Sequence, residues 1–286
     1  MVRTLASLTL LGIIAPNLLG SPAEVVIAEM EKIQSESGLR VASIGLCFVP
    51  IDGEPGEAAG YQIDTGLIPA STMKAITTAT ANEILGSDFR FKTELQTAGT
   101  LDEEGTLTGH LVIRGGGDPT LGSSSISSTF SKWQAALREA GIKKIEGSIV
   151  GDATIFDSQL VPDTWQYNDF GNYYKHLTNN NLPVSGEPTT VRLMTIAGDS
   201  LAARKIIHTQ ESDTLSSIMY LTNMKSNNLR AECMHRMIAV EKGKKGSTVE
   251  ASKVTRQYWS EKGVDMTGYF MGDGCGLSRS NTVSAR

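Results

Sequence analysis

A serine and a lysine three positions apart, Ser71 and Lys74 in Ser71-Thr72-Met73-Lys74, are the residues of this chain best suited to do chemistry together. Residues i and i+3 share one helical face, so a lysine one turn after a serine can reach its Oγ. A serine hydroxyl is a poor nucleophile until an adjacent base takes its proton. One turn here carries both partners. The amine has to be uncharged to serve as that base, whereas an unperturbed lysine titrates near ~10.4; desolvation and a neighbouring cation lower the value. The plainer reading makes Ser71 a helix cap and Lys74 a solvated side chain.

A second element shifts the balance toward chemistry. Ser226-Asn227-Asn228 stands ahead of another amphipathic stretch, with Leu229, Cys233 and Met237 on one face and Met234 and Ile238 beside them. Ser226 is expected to begin that helix, or simply to cap it, with Asn227 and Asn228 at its surface. The elements that must hold the first pair are also legible. The spacing predicts a helix over Ala75–Leu85, with Met73, Ile76 and Ile84 facing a core and Thr80 on the same stripe, bonded to a carbonyl one turn back. A helix over Glu24–Ser35, a buried strand over Val41–Val49 and a hairpin partner over Ala58–Asp64 precede it. Strands over Phe91–Thr100 and Thr106–Ile113 flank the turn Asp102-Glu103-Glu104-Gly105, and a helix over Trp133–Gly141 leads to a strand over Ile145–Val150. The run Gly115-Gly116-Gly117-Asp118-Pro119 has no phosphate-loop frame around it and reads as a tight turn.

Composition narrows the function. With 286 residues, 40% hydrophobic and 20% charged, the chain is long and apolar enough to fold around a real core. A net charge of −5 gives no electrostatic case for nucleic acid. Three distant cysteines (Cys47, Cys233, Cys275) and four scattered histidines (His110, His176, His208, His235) form no metal-ligand spacing, so neither metal nor cofactor is expected. Arg3, the apolar run Leu5–Leu19 and the small residues after it predict a secretory signal over residues 1–20; the run is too short and broken by Pro16 to span a membrane. Cys275, between two glycines, is read either as an exposed thiol or as a small residue filling a turn.

These motifs carry a family resemblance. Pro69-Ala70-Ser71-Thr72-Met73-Lys74 with Thr77-Thr78, Phe89-Arg90-Phe91, Gly115 to Leu121, Gly141-Ile142, Gly147 with Gly151-Asp152, Thr222-Asn223 with Ser226-Asn227-Asn228-Leu229 and Glu232, and Asp273-Gly274-x-Gly276-Leu277-Ser278-Arg279 all match. The chain resembles the class C low-molecular-mass penicillin-binding proteins, the D-alanyl-D-alanine carboxypeptidase/endopeptidase group, from about Gly45 to Arg286. The resemblance implies an α+β fold, a penicillin-recognising transpeptidase-like domain over 21–97 and 204–286 with an abbreviated domain inserted over 98–203. It implies that Ser71 is the acylated nucleophile, Lys74 its base and Ser226 the proton relay to the leaving amine. Asn228 would bind the substrate's acyl amide. Peptidoglycan stem peptides and β-lactam antibiotics are the implied partners, outside the cytoplasm, with no nucleic acid and no membrane span. Two positions depart from the pattern. Cys275 stands where the family usually has serine, and no Lys-Thr-Gly or Lys-Ser-Gly occurs. The expectation is therefore a C-terminally incomplete, weakly active catalytic unit. A non-catalytic peptidoglycan-binding relative is the alternative. An unrelated Ser/His/Asp hydrolase would need one of the four histidines and has no G-x-S-x-G elbow.

Overall fold

Ser21 opens the first helix through a capping box: its side chain accepts from the Glu24 amide while Glu24 reaches back to the Ser21 N–H, and Pro22 occupies the first turn, where no N–H is needed. The computed structural model describes residues 21–36, 38–51, 58–121, 126–159, 161–166, 191–194 and 203–286. The expected secretory segment and His176 lie outside them. The described residues fall into two compact units.

The first unit takes the chain up to Leu67 together with Thr267–Tyr269 and Thr282–Arg286. It holds α1 (Pro22–Ser35) and an antiparallel pair, β1 (Leu46–Phe48) with β2 (Ala59–Tyr61). Gln34 of α1 donates to the Ala42 carbonyl and accepts from the Tyr61 hydroxyl. The predicted strand over Val41–Val49 is shorter than expected and is not buried. Its partner offers three residues, so only Leu46–Phe48 pairs, and Val41 is 96% exposed. Leu67 closes the unit by bridging Val283.

The second unit comprises Ile68–Met266 and Phe270–Asn281. A 3-10 turn, Ala70–Thr72, runs into α2 (Met73–Leu85). Next comes the hairpin of β3 (Lys92–Leu101) and β4 (Thr106–Arg114), antiparallel as predicted, its turn closed by Asp102 Oδ1 accepting from the Thr106 amide at 2.7 Å. Helix α3 (Ile126–Glu139) leads to β5 (Lys144–Glu146) and β6 (Ile149–Asp152), both parallel to β4. One strand was predicted over Ile145–Val150. It is split at Gly147, where a Cβ would lie 1.6 Å from the Gly109 carbonyl oxygen. The short β7 (Val191–Met194) pairs parallel with β6, and β8 (Arg204–Glu211) pairs antiparallel with β3, giving the order β7-β6-β4-β3-β8 with β5 against β4. Arg204 and the buried Asp152 form an ion pair across this sheet. The triple-glycine turn is tight as expected: a Cβ at Gly116 would strike the Lys92 carbonyl oxygen at 1.9 Å.

Three helices complete the unit: α4 (Leu215–Lys225), α5 (Asn228–Glu241) and α6 (Thr248–Glu261). Ala81 of α2, Leu215 and Ile218 of α4, Met234, Met237 and Ile238 of α5, and Phe91 form one buried cluster. Helix α2 therefore sits in the middle of a helical layer. Its threonines are tolerated there because each hydroxyl bonds a carbonyl; Thr80 Oγ1 donates to the Ile76 carbonyl at 2.7 Å and accepts from Trp259 Nε1 at 2.8 Å. No helix among the described residues is long and apolar enough to cross a membrane.

Candidate active site

The start of α2 and a loop more than two hundred positions away build the site. Ala70, just before the serine, has φ +48, a left-handed conformation that costs a non-glycine residue on the order of 1–3 kcal/mol. Gly276 explains how this turn is held. It too has positive φ (+88), and a Cβ there would lie 1.7 Å from the Ala70 carbonyl oxygen and 3.0 Å from the Ser71 nitrogen. The backbone of the 273–276 loop is thus pressed directly against the Ser71 turn. Gly276→Ala is expected to push that turn away, costing more than about 2 kcal/mol of stability and lowering reactivity at Ser71 about 10²-fold. Thermal melts and the rate of covalent labelling at Ser71 check both effects.

Ser71 is exposed, whereas Lys74 is buried, 2% exposed, directly beneath it. Lys74 Nζ lies 3.0 Å from Ser71 Oγ and donates to the Cys275 carbonyl at 2.6 Å. Thr77, one turn on, donates to the Gly274 carbonyl at 2.6 Å. Burial pushes the Lys74 amine below the usual lysine range, against the opposing pull of Cys275, Asp273 and Glu232. Ser71 does not cap the helix: Thr72 is the N-cap residue and makes no side-chain cap bond.

Asp273 organises the facing loop. Its Oδ1 accepts from the Gly276 amide and Asn281 Nδ2, both at 2.7 Å. Its Oδ2 accepts from Trp165 Nε1 at 2.7 Å and the Ser278 amide at 2.6 Å, with Cys275 Sγ at 3.6 Å. An acceptor met only by donors is a carboxylate. Glu232, from the buried face of α5, accepts from the Gly274 amide at 2.8 Å. Glu232, Asp273 and Cys275 each bring one atom within 4.8 Å of the others. Asp273 is already surrounded by donors and burial drives the Cys275 thiol far above the usual range, so this trio is a hydrogen-bonding cluster. Cys275 is fully buried and fills the turn; it is not an exposed thiol.

The second predicted element differs from expectation. Ser226 does not begin a helix. It is the C-cap of α4, a helix not foreseen from the sequence, in the left-handed region with φ +51. Asn227 is the N-cap of α5, accepting from the Arg230 amide at 3.0 Å, and Asn228 is its first residue. The junction is tied to α2 through Asn223 Nδ2, which donates to Thr78 Oγ1 at 3.2 Å. Thr78 lies one turn beyond Lys74 and Asn223 three residues before Ser226. Ser71 and Lys74 meet within hydrogen-bonding distance; among the described residues, no side-chain hydrogen bond links Ser226 or Asn228 to either of them. No described histidine bonds Ser71. His110 Nδ1 accepts from the Ser148 amide at 3.2 Å, and His235 is fully buried against Ser252, its imidazole pushed down to about 4 by burial.

The fold is that of a known penicillin-binding protein. Penicillin binding protein 4 from Haemophilus influenzae superposes with a TM-score of 0.64 at 19% identity, over 79% of this chain and 69% of that one. Residues 26–195 and 188–286 match the D-Ala-D-Ala carboxypeptidase 3 (S13) family, and the chain belongs to it. It is 36% identical over 111 residues to the D-alanyl-D-alanine carboxypeptidase DacB of Haemophilus influenzae, covering 39% of this chain and 22% of that protein. With the D-alanyl-D-alanine carboxypeptidase of an Actinomadura species it shares 32% identity over 139 residues, 48% of this chain and 24% of that protein. A carboxypeptidase of Mycobacterium tuberculosis is 25% identical over 92% of this chain and 65% of its own length. The chain thus spans less than two thirds of these curated relatives. The α+β class expected from the sequence is the one observed.

Proposed function

We propose that the protein is a serine-type D-alanyl-D-alanine carboxypeptidase/endopeptidase acting on peptidoglycan stem peptides outside the cytoplasm. The observation that carries this reading is the buried Lys74 amine, 3.0 Å from the exposed Ser71 hydroxyl. Ser71 Oγ attacks the carbonyl joining two D-alanines, and Lys74 takes its proton. Ser226, at the open end of α4, passes a proton to the departing amine, and Asn228 holds the acyl amide. D-alanine leaves; water then cleaves the ester and restores Ser71. A β-lactam presents the same kind of carbonyl and stops at the acyl-enzyme. Membership of the S13 family and the two D-alanyl-D-alanine carboxypeptidase relatives support the substrate class. A neighbouring structure, the Haemophilus influenzae penicillin binding protein 4, is itself complexed with a β-lactam.

Incubation with a fluorescent penicillin, followed by mass mapping of the adduct, tests this. The expected result is one label on the peptide containing Ser71, absent from Ser71→Ala. A folded protein that takes no label would instead be a peptidoglycan-binding relative without turnover.

A further inference from the structure

Glu232 is a buried acid with no assigned role. It is 4% exposed, its Oε1 accepts from the Gly274 amide, its Oε2 accepts from no N–H or O–H donor among the described residues, and the Cys275 thiol lies against the carboxyl. A second carboxylate, Asp273, lies in the same cluster. Two carboxylates in one buried site do not both stay ionised without compensation. The charged groups around Glu232 come from every packed element. Lys74 comes from α2 and Asp273 with the neutral Cys275 from the facing loop. Arg236, paired with Asp157, and the neutral His235 come from α5 itself. Lys74 reaches the same four-residue loop that Glu232 holds: Glu232 binds the Gly274 amide, and Lys74 binds the Cys275 carbonyl.

We propose that Glu232 is a positioning residue that carries a proton in the resting site and, by staying uncharged, keeps Lys74 in its base form. The proposal rests on the acyl-transfer reading of Ser71 and deepens it. A neutral carboxyl with a neutral amine holds the same number of protons as a carboxylate with an ammonium. Only the first arrangement can accept the Ser71 proton. Burial chiefly, with Asp273 adding to it, raises the Glu232 carboxyl to about 7, well above a solvent-exposed glutamate. When Ser71 is acylated its proton arrives on Lys74, and Asp273 faces the new ammonium.

Glu232→Gln tests the idea, because an amide keeps the acceptor for Gly274 and imitates the protonated acid. Labelling by fluorescent penicillin is followed from about pH 5 to 9 for parent and variant. The expected result is an unmoved rate midpoint, because the amide reproduces the neutral carboxyl that the parent holds when Lys74 loses its proton. A midpoint about one pH unit lower, the coupling at which two groups titrate as a pair, reveals a carboxylate beside an ammonium in the parent and overturns the proposal, as does a uniform slowing at every pH. Melting temperature supplies a readout independent of acylation. A carboxyl that is protonated in the fold stabilises it fully below about pH 4.5, and that contribution is lost as pH rises through about 7. His235 acts in the opposite sense, costing stability as pH falls from 6.5 through about 4, but it is common to both proteins. The variant should therefore gain roughly 3 °C or more on the parent between about pH 5 and 8; a gap constant with pH overturns the proposal. A parent that takes no label while the melts behave as expected defeats the acyl-transfer reading and leaves the proton on Glu232 standing. Should the variant misfold, infrared spectra of the parent decide: a protonated-carboxyl band that disappears near pH 7 supports the proposal, and its absence sinks it.

Discussion

Lys74→Met is expected to lower covalent labelling at Ser71 by about 10²–10⁴-fold, the contribution of a positioned base, while the protein remains folded. Methionine has nearly the length of the lysine stem and is at home in a site that is 2% exposed. What it removes is the amine 3.0 Å from Ser71 Oγ and the bond to the Cys275 carbonyl at 2.6 Å. Burial disfavours the charged amine, so replacing it relieves a desolvation cost that opposes the lost hydrogen bond. The two measurements should separate: stopped-flow labelling collapses, whereas the thermal midpoint stays within a few degrees of the parent. A variant that labels at the parental rate would show that another group takes the serine proton.

Asp273→Ala is expected to give the opposite pattern, in which the fold fails first. The carboxylate is fully buried and accepts from Trp165, Gly276, Ser278 and Asn281. Alanine takes the acceptor from four donors, three buried and the Gly276 amide half-buried, at about 1–3 kcal/mol for each buried one. Even with partial relaxation the loss should exceed about 4 kcal/mol, a large part of the stability of an ordinary domain. Urea unfolding should show the midpoint falling sharply, or no soluble folded protein at all. Asp273→Asn retains one acceptor oxygen and should fall between the two. An alanine variant with near-parental stability would mean that the loop does not depend on this carboxylate.

The parts of the site that could be read in the sequence are those fixed by local geometry. Ser71 and Lys74 share a turn, so their contact follows from spacing alone. The β3–β4 hairpin and the helical stripe of α2 are likewise local patterns, with period two and period 3.6. What escaped the reading depends on distant partners. Helix α4 was not foreseen: exposed Tyr220, Leu221 and Met224 interrupt its apolar period, and only packing onto α2 and α5 makes it a helix. Ser226 looked like the start of a helix because serine favours N-caps; the neighbouring Asn227 takes that place, leaving Ser226 as the left-handed end of α4. Asp273 and Glu232 carried no visible signal beyond their place in matching motifs. A lone acid in a sequence reads as solvated surface until the fold shows which donors surround it.

The Lys74–Cys275 bond joins residues 201 positions apart. Closing so long a connection costs chain entropy. Until the 273–276 segment arrives, the Lys74 side chain has water around it and keeps its positive charge, and Ser71 remains an ordinary alcohol. A chain in which that contact has not formed therefore carries no armed nucleophile: reactivity is acquired only once the 273–276 segment has docked on α2.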